Sequence, residues 1–372
     1  MAVQVGLLFF GPHNSLPTPH LIIRHGNDTE RYLTAAQSLL MGNLPIGKAK
    51  GFLGYDLFVA FFLWSGLGQM GIVLAQALLT SVAAYCLYRL TRRVCDRRTG
   101  LLAALFYIVY AELQYWNFYI LPESLFVSMT IISLFLVAEW RGWWRMTITG
   151  LIVSFTAIIR PHGIILLLSV GLYAMYSLWR ARRYKVLVGV ACAFVVASPM
   201  AIKLVGGVLA DYHPINQLAK GIVVAYYKES RLVMPGVLPA GLEDIKNPLF
   251  QISLFIAKKP GYFLQIAGMR LWYLFITARP FYSDFHNYLL LLTLVPSYVL
   301  AVWGLLSRSE YPAEKLLLVS LCCFQSLIVA LTFVGSNGRY SLVIMPIVFV
   351  FAARGALNML EAGKALVMTG SK

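Results

Sequence analysis

Apolar residues in this chain come in long unbroken runs, not in alternation with polar ones. Runs at 69–90, 100–120, 122–138, 163–179, 186–202, 287–306 and 315–334 recur along it. Each approaches the roughly 20 residues needed to cross about 30 Å of hydrocarbon at 1.5 Å per residue. Membrane β-strands would alternate over short segments, and these runs do not. The pattern predicts an all-α integral membrane protein, a polytopic helical bundle with spans at 69–90, 100–118, 122–138, 146–160, 163–179, 186–205, 287–306, 315–335 and 341–356. The opening MAVQVGLLFFGP is too short to span and reads as the outer half of a first helix whose beginning is absent, which gives about ten crossings.

Three further elements are expected outside the spans. A short helix falls around 28–41, and YDLFVAFFLWSG (55–66) is too short to cross and return, so it lies at an interface. KPGYFLQIAGMRLWYLFITARP (259–280) is aromatic and basic, the pattern of an amphipathic interfacial helix. The chain thereby divides into a membrane module with a first outer loop (1–205), an outer-face segment (206–286) and C-terminal membrane helices with a tail (287–372).

Composition sharpens the class. Of the 372 residues 59% are hydrophobic and 12% charged, with a mean hydropathy of +0.73; soluble domains run near 45–50% and 25%. A water-soluble enzyme is excluded. The net charge of +16 reads first as topology rather than as a nucleic-acid surface. Arg89, Arg92, Arg93, Arg97 and Arg98 fill one short loop, Arg141 and Arg145 a second, and Arg180, Arg182, Arg183 and Lys185 a third. The positive-inside rule makes these loops cytoplasmic. Asp28, Glu123, Arg160 and residues 206–286 then face outward, into a periplasm or lumen, and a bacterial inner membrane is the expected location. Fifteen of the 31 bases also lie outside. Orientation does not account for them; chance clustering or an anionic ligand on that face would. Five cysteines, at 86, 95, 192, 322 and 323, fall in spans or the first inner loop, so no disulfide framework is expected.

Several motifs fail on context. GLGQMG (66–71) fits a dinucleotide fingerprint but opens a membrane span and has no acid about 20 residues later, so packing between small residues is the better reading. GNLPIGKA (42–49) ends on Ala49 where a P-loop needs a hydroxyl for magnesium. His20 and His25 with Asp28 offer the only metal option, without helical ligand spacing. No cofactor is expected, and a divalent metal is the weaker alternative.

Ionisable groups at membrane depth are costly and therefore functional candidates. Four segments carry them at outer helix ends: HGNDTERY with Asp28 and Glu30, FYILPESLF with Glu123, IIRPHG with Arg160 and His162, and GSNGRYSLVIMP with Arg339 and Tyr340. Carboxylates facing bases suit a displacement in which one carboxylate takes a proton from an acceptor hydroxyl. Arginines stabilise the departing anion. The bland reading is that Asp28 caps a helix, Glu123 sits where a helix dipole favours it, and the arginines snorkel.

Asp28, Tyr32 and Ala36, followed by Leu40 and Gly42, resemble the first outer loop of the GT-C membrane glycosyltransferases, which include the protein O-mannosyltransferases and the aminoarabinose transferases of lipid A. GYDLFVAFFLWSGLG, RLTRRVCDRRTGLLAALFY, LPESLF, IIRPHG, KKPGYFLQIAGMRLWYL and RYSLVIMP follow in the order those enzymes show. The resemblance implies a polyprenyl-phosphate-linked sugar as donor, with transfer on the outer face to a lipid, glycan or protein. It implies Asp28, Glu30 and Glu123 as catalytic acids and bases. Arg160, Arg270 and Arg339 would bind donor phosphate, and Tyr32, His162 and Tyr340 substrate. Two departures stand out: Thr29, not a second acid, follows Asp28, and Asp56 stands where proline is common. Two other classes remain: a transporter or flippase of an anionic lipid that uses the same outer basic groups, and a non-catalytic scaffold of enzyme-derived fold, which the incomplete first helix allows. Transporters usually carry paired repeats and broken helices, and the sequence pattern predicts neither.

Overall fold

A computed structural model describes residues 23–370, apart from 140–141, 212–213, 226–233, 235, 237–238, 240, 243–244, 308 and 336. The half-helix expected at the start lies outside the described residues. The described chain is helical, its only β-type pairing being two isolated bridges. It divides into two compact units: Met1–Leu167 with Val295–Val319 and Leu342–Lys372, and Leu168–Leu294 with Ser320–Ser341. Six helical segments among the described residues are long and apolar enough to cross a membrane: Gly68–Val94, Pro122–Glu139, Pro161–Arg180, Asp284–Leu306, Pro312–Leu331 and Met345–Gly363. Trp143–Ile159, Tyr184–Met200 and Pro248–Lys258 are shorter apolar helices.

In the first unit, α1 (Thr29–Leu40) leads through a 3-10 turn (Gly47–Phe52) into α2 (Leu53–Trp64). α2 is the helix expected at an interface. Gly66 and Gly68, both with positive φ, turn the chain into α3 (Gly68–Val94), and Gly71 abuts Phe62 of α2. GLGQMG is thus mainly a helix-to-helix turn, where left-handed backbone favours glycine. Arg92 and Arg93 close α3, where basic side chains suit the carbonyl end of the dipole.

The span expected at 100–118 is interrupted. α4 (Arg97–Val109) ends at an extended Tyr110, and a short α5 (Ala111–Tyr115) and a 3-10 turn (Trp116–Phe118) follow. Buried polar side chains explain the break. Gln114 donates to the Tyr107 carbonyl at 2.9 Å, and Asn117 accepts from Thr80 at 2.7 Å and from Ser124. A continuous helix would strand these groups in hydrocarbon. α6 (Pro122–Glu139) and α7 (Trp143–Ile159) complete this part.

α15 (Met345–Gly370) packs on α4, with Phe349 against Phe106 and Tyr110. Its Arg354 pairs at 3.0 Å with Asp96, whose carboxylate also caps α4 through Thr99. α13 (Asp284–Leu306) approaches α15 through Gly304 and Gly355: a Cβ on either would fall within 2.0 Å of a carbonyl oxygen on the other helix. Leu74, Leu78 and Leu101 point out of the unit, apolar surface that a bilayer would cover.

The second unit contains α9 (Tyr184–Ala210), α10 (Pro214–Ala219), α11 (Pro248–Lys258) and α12 (Pro260–Phe275), with parts of α8 (Ile164–Arg180), α13 and α14 (Pro312–Leu331). A bridge between Val224 and Val334 ties its loops: Ala225 N–H donates to the Val334 carbonyl at 2.8 Å, and Val334 N–H to that of Val223 at 3.1 Å.

Candidate active site

Two chain segments far apart in sequence are zipped together beneath the first loop. Arg24 N–H donates to the Phe118 carbonyl at 2.8 Å, and Ile120 N–H returns a bond to the Arg24 carbonyl at 3.2 Å. Thr29 is fully buried and takes part twice. Its hydroxyl accepts from Gly26 N–H at 2.9 Å and donates to the Ile120 carbonyl at 3.2 Å. Asp28, at the start of α1, is thereby fixed relative to Glu123, in the first turn of α6.

Tyr32 stands at the centre of what this brings together. It lies one turn after Asp28 and is buried between Phe52 and Tyr55, with ring centroids 5.2 and 5.0 Å away, both edge-to-face. Arg31 donates to its hydroxyl at 2.8 Å and pairs with Asp28 at 3.2 Å. On the other side, Glu123 is 1% exposed and pairs with the buried Arg160 at 3.3 Å. Burial first, and then the Glu123 carboxylate, push the Tyr32 phenol well above its ordinary range; Arg31 and Arg160 oppose this, and Asp28 adds to it. One phenol therefore feels both carboxylates and both guanidinium groups. It stays neutral and serves as a hydrogen-bonding wall.

The backbone explains why Arg160 reaches this place. α7 ends at Ile159, Arg160 is extended, and a Pro161–Gly163 turn follows, with Gly163 N–H on the Arg160 carbonyl at 2.8 Å. α2 crosses the end of α7 at Gly54, where a Cβ would lie 2.9 Å from the Ile159 nitrogen. Only glycine permits that approach. Tyr55, next to it, donates at 3.3 Å to Gln76, whose amide nitrogen donates to the Asn117 and Tyr119 carbonyls at 3.0 and 2.9 Å. The polar break after α4 is thus the support on which the site rests.

Of the nine residues nominated from sequence, Asp28, Tyr32, Glu123 and Arg160 meet here. Glu30 is exposed in the first turn of α1, and His162 is half-buried in the turn after Arg160. Arg270, Arg339 and Tyr340 belong to the second unit. There Arg270 is fully buried on α12, donating to the Ile222 carbonyl at 2.8 and 3.3 Å and to that of Ala330 at 3.0 Å. Burial draws its guanidinium down to about 9. A phosphate would have to displace those carbonyls. Arg339 lies in the turn before α15, and the Tyr340 carbonyl accepts from Gln325 at 2.9 Å.

Sequence reasoning did not nominate Arg31, Thr29 or Asp56 for the site. Asp56 is completely buried on α2, and neither carboxylate oxygen has a hydrogen-bond partner among the described residues. Burial pushes it up to about 7, opposed only by the charge of Arg31. A lone acid within YDLFVAFFLWSG was the available signal. No group of three or more metal-ligating side chains occurs among the described residues.

Residues 54–202 match the family model described as dolichyl-phosphate-mannose-protein mannosyltransferase. The match takes in Asp56, Glu123 and Arg160, and starts after Asp28 and Tyr32. Among solved structures, the archaeal oligosaccharyltransferase AglB from Archaeoglobus fulgidus, in complex with an inhibitory peptide and a dolichol-phosphate, aligns over 98% of this chain and 50% of its own. The TM-score is 0.52 and the identity 14%. The chain thus spans half the length of that structure. No curated protein sequence matches it. These findings uphold the resemblance to the GT-C membrane glycosyltransferases read from the motifs, and they establish the fold.

Proposed function

With the chain an integral membrane protein of GT-C fold, we propose that it transfers a sugar from a polyprenyl-phosphate donor to a lipid, glycan or protein acceptor on the outer face of the membrane. The observation that carries this reading is the arrangement around Tyr32, with Asp28 and Arg31 on one side and the buried Glu123–Arg160 pair on the other.

Each group has a part in one displacement. Asp28, the more accessible carboxylate, accepts the proton of the attacking acceptor group. The bond between the sugar's anomeric carbon and the phosphate oxygen breaks, and the electron pair leaves with the polyprenyl phosphate. Arg160 receives the growing negative charge, where a guanidinium preset in a dry site is far more effective than one in water. Glu123 orients Arg160. A bacterial inner membrane with the site facing the periplasm fits the basic inner loops.

The test is incubation of the purified protein with labelled polyprenyl-phosphate sugars and mass analysis of the products. Transfer is expected, abolished in Asp28→Asn and weakened through donor affinity in Arg160→Ala. Undiminished turnover in Asp28→Asn removes Asp28 from the mechanism. Movement of intact glycolipid across the bilayer without a cleaved donor would identify a flippase instead.

A further inference from the structure

Asp56 is the feature that the proposed reaction leaves unused. A fully buried carboxylate with no hydrogen-bond partner among the described residues is rare, because ionising a group in that setting is costly. Its position on α2 gives it one neighbour of opposite charge. Phe52, where the 3-10 turn gives way to α2, precedes Asp56 by four positions. The Arg31 guanidinium lies 5.1 Å over the Phe52 ring while pairing with Asp28 at 3.2 Å. One cation is therefore paired with Asp28 and close enough to act electrostatically on Asp56.

Resting on the transferase reading, we propose that Asp56 is a positioning residue, the second counter-ion of Arg31, and that the guanidinium's move from Asp28 to Asp56 frees Asp28 to accept the acceptor's proton. In the resting state Asp56 holds a proton, which makes its dry surroundings tolerable, and Arg31 stays with Asp28. When the acceptor enters, Arg31 turns toward Asp56, Asp56 releases its proton to solvent, and the resulting ion pair takes the place of the lost one. Charge balances through the released proton: one carboxylate–guanidinium pair exists before and after, and the site gains the negative charge of Asp28. Asp28, no longer neutralised by Arg31, becomes the stronger base.

The surroundings suit this exchange. The titratable groups interacting with Asp56 are Arg31 from α1 and Tyr55 from α2 itself, and Tyr32 packs against Tyr55. α3 presents the neutral Gln76 to this region, and α7 the apolar Ile158 and Ile159. Glu123 acts on both tyrosines, and Arg160 on Tyr32. Burial holds Asp56 near neutrality, about 7, so either protonation state is within reach at physiological pH. The Asp28–Arg31 pair is 30% exposed on both sides and correspondingly weak, so it can be exchanged.

The experiment reads the protonated carboxylic acid directly, by its carbonyl-stretch band in infrared spectra of the whole protein without substrate. The wild type is expected to show a band that titrates away around neutral pH, is absent in Asp56→Asn and remains in Asp28→Asn. Removing the cation in Arg31→Gln should move that titration to higher pH. Absence of such a band, or a titration that ignores Arg31→Gln, overturns the proposal without touching the transferase reading, which stands on turnover. In turnover, Asp56→Asn and Asp56→Leu should lower kcat by about tenfold, a part of the roughly 10²–10⁴-fold that a placed base contributes. Donor KM should hold, and Asp56→Glu should recover part of the rate. An unchanged kcat in folded Asp56→Asn would make Asp56 a purely structural residue.

Discussion

The Thr29 hydroxyl donates to the Ile120 carbonyl, 91 residues further along the chain, and so couples the position of Asp28 to that of Glu123. The position after Asp28, where the GT-C enzymes that the chain resembles often carry a second acid, is used here as a fastener. Thr29→Val keeps the side-chain shape and removes the hydroxyl, leaving a buried carbonyl and the Gly26 N–H without that partner. The expected cost is about 1–3 kcal/mol of stability, read as a lowered Tm in detergent. Turnover measured well below Tm should fall as well, because Asp28 loses its registration. An unchanged kcat would restrict Thr29 to a structural role.

Glu123 and Arg160 make a different kind of pair, buried on both sides. Removing one partner leaves the other charge uncompensated, at about 3–5 kcal/mol, whereas replacing both with apolar residues can be nearly neutral. Glu123→Leu and Arg160→Met should each lower Tm sharply, and the double variant should recover most of the loss. Donor binding should stay weak in both variants that lack Arg160. Recovery of binding together with stability would take the phosphate away from Arg160.

How much of this was legible in the sequence depended on where each residue sits in the hydropathy pattern. Glu123 and Arg160 end apolar runs, so their placement at helix ends followed from span lengths alone. Asp28 stood in a polar outer loop, and Tyr32, one turn on, followed from the resemblance to the GT-C first loop. Two things were hidden. The break at Tyr110 looked like an uninterrupted span, since Gln114 and Asn117 reveal their purpose only when Gln76 and Thr80 arrive from α3. The arginines looked equivalent, but Arg270 spends its donors on carbonyls while Arg160 faces a carboxylate. Sequence counts charges and does not see their partners.

Gly54 sets the distance between α2 and the end of α7. Gly54→Ala places a methyl group 2.9 Å from the Ile159 nitrogen and 3.0 Å from the Ile158 carbonyl carbon, backbone atoms that cannot rotate away. The helices must separate, at about 1–3 kcal/mol for overpacking. Because Arg160 follows Ile159 directly, donor KM should rise along with the drop in Tm. A stable Gly54→Ala variant with normal donor KM would show that α7 tolerates the shift.

Asp56 gives the sharpest pH signature. Burial raises its folded value to about 7, against an ordinary carboxylate value of 3.8. Between those limits the folded protein holds a proton that the unfolded chain has released, so the group's contribution to stability is complete below pH ~4 and is lost as pH rises toward 7. Asp56→Asn cannot ionise and escapes that loss. The variant and the wild type should have similar Tm near pH 4.5, and the variant should become the more stable as pH reaches 8, by an amount on the order of a few kcal/mol. Thermal unfolding of both proteins across that range in one detergent measures the difference and cancels the titration of every other group. The same substitution is expected to slow turnover, so a protein made sturdier at pH 8 and poorer as a catalyst would mark Asp56 as a residue kept for function at the expense of stability. A Tm difference that stays flat from pH 4.5 to 8 would mean that Asp56 finds donors or water when folded, and the exchange of Arg31 would lose its motive.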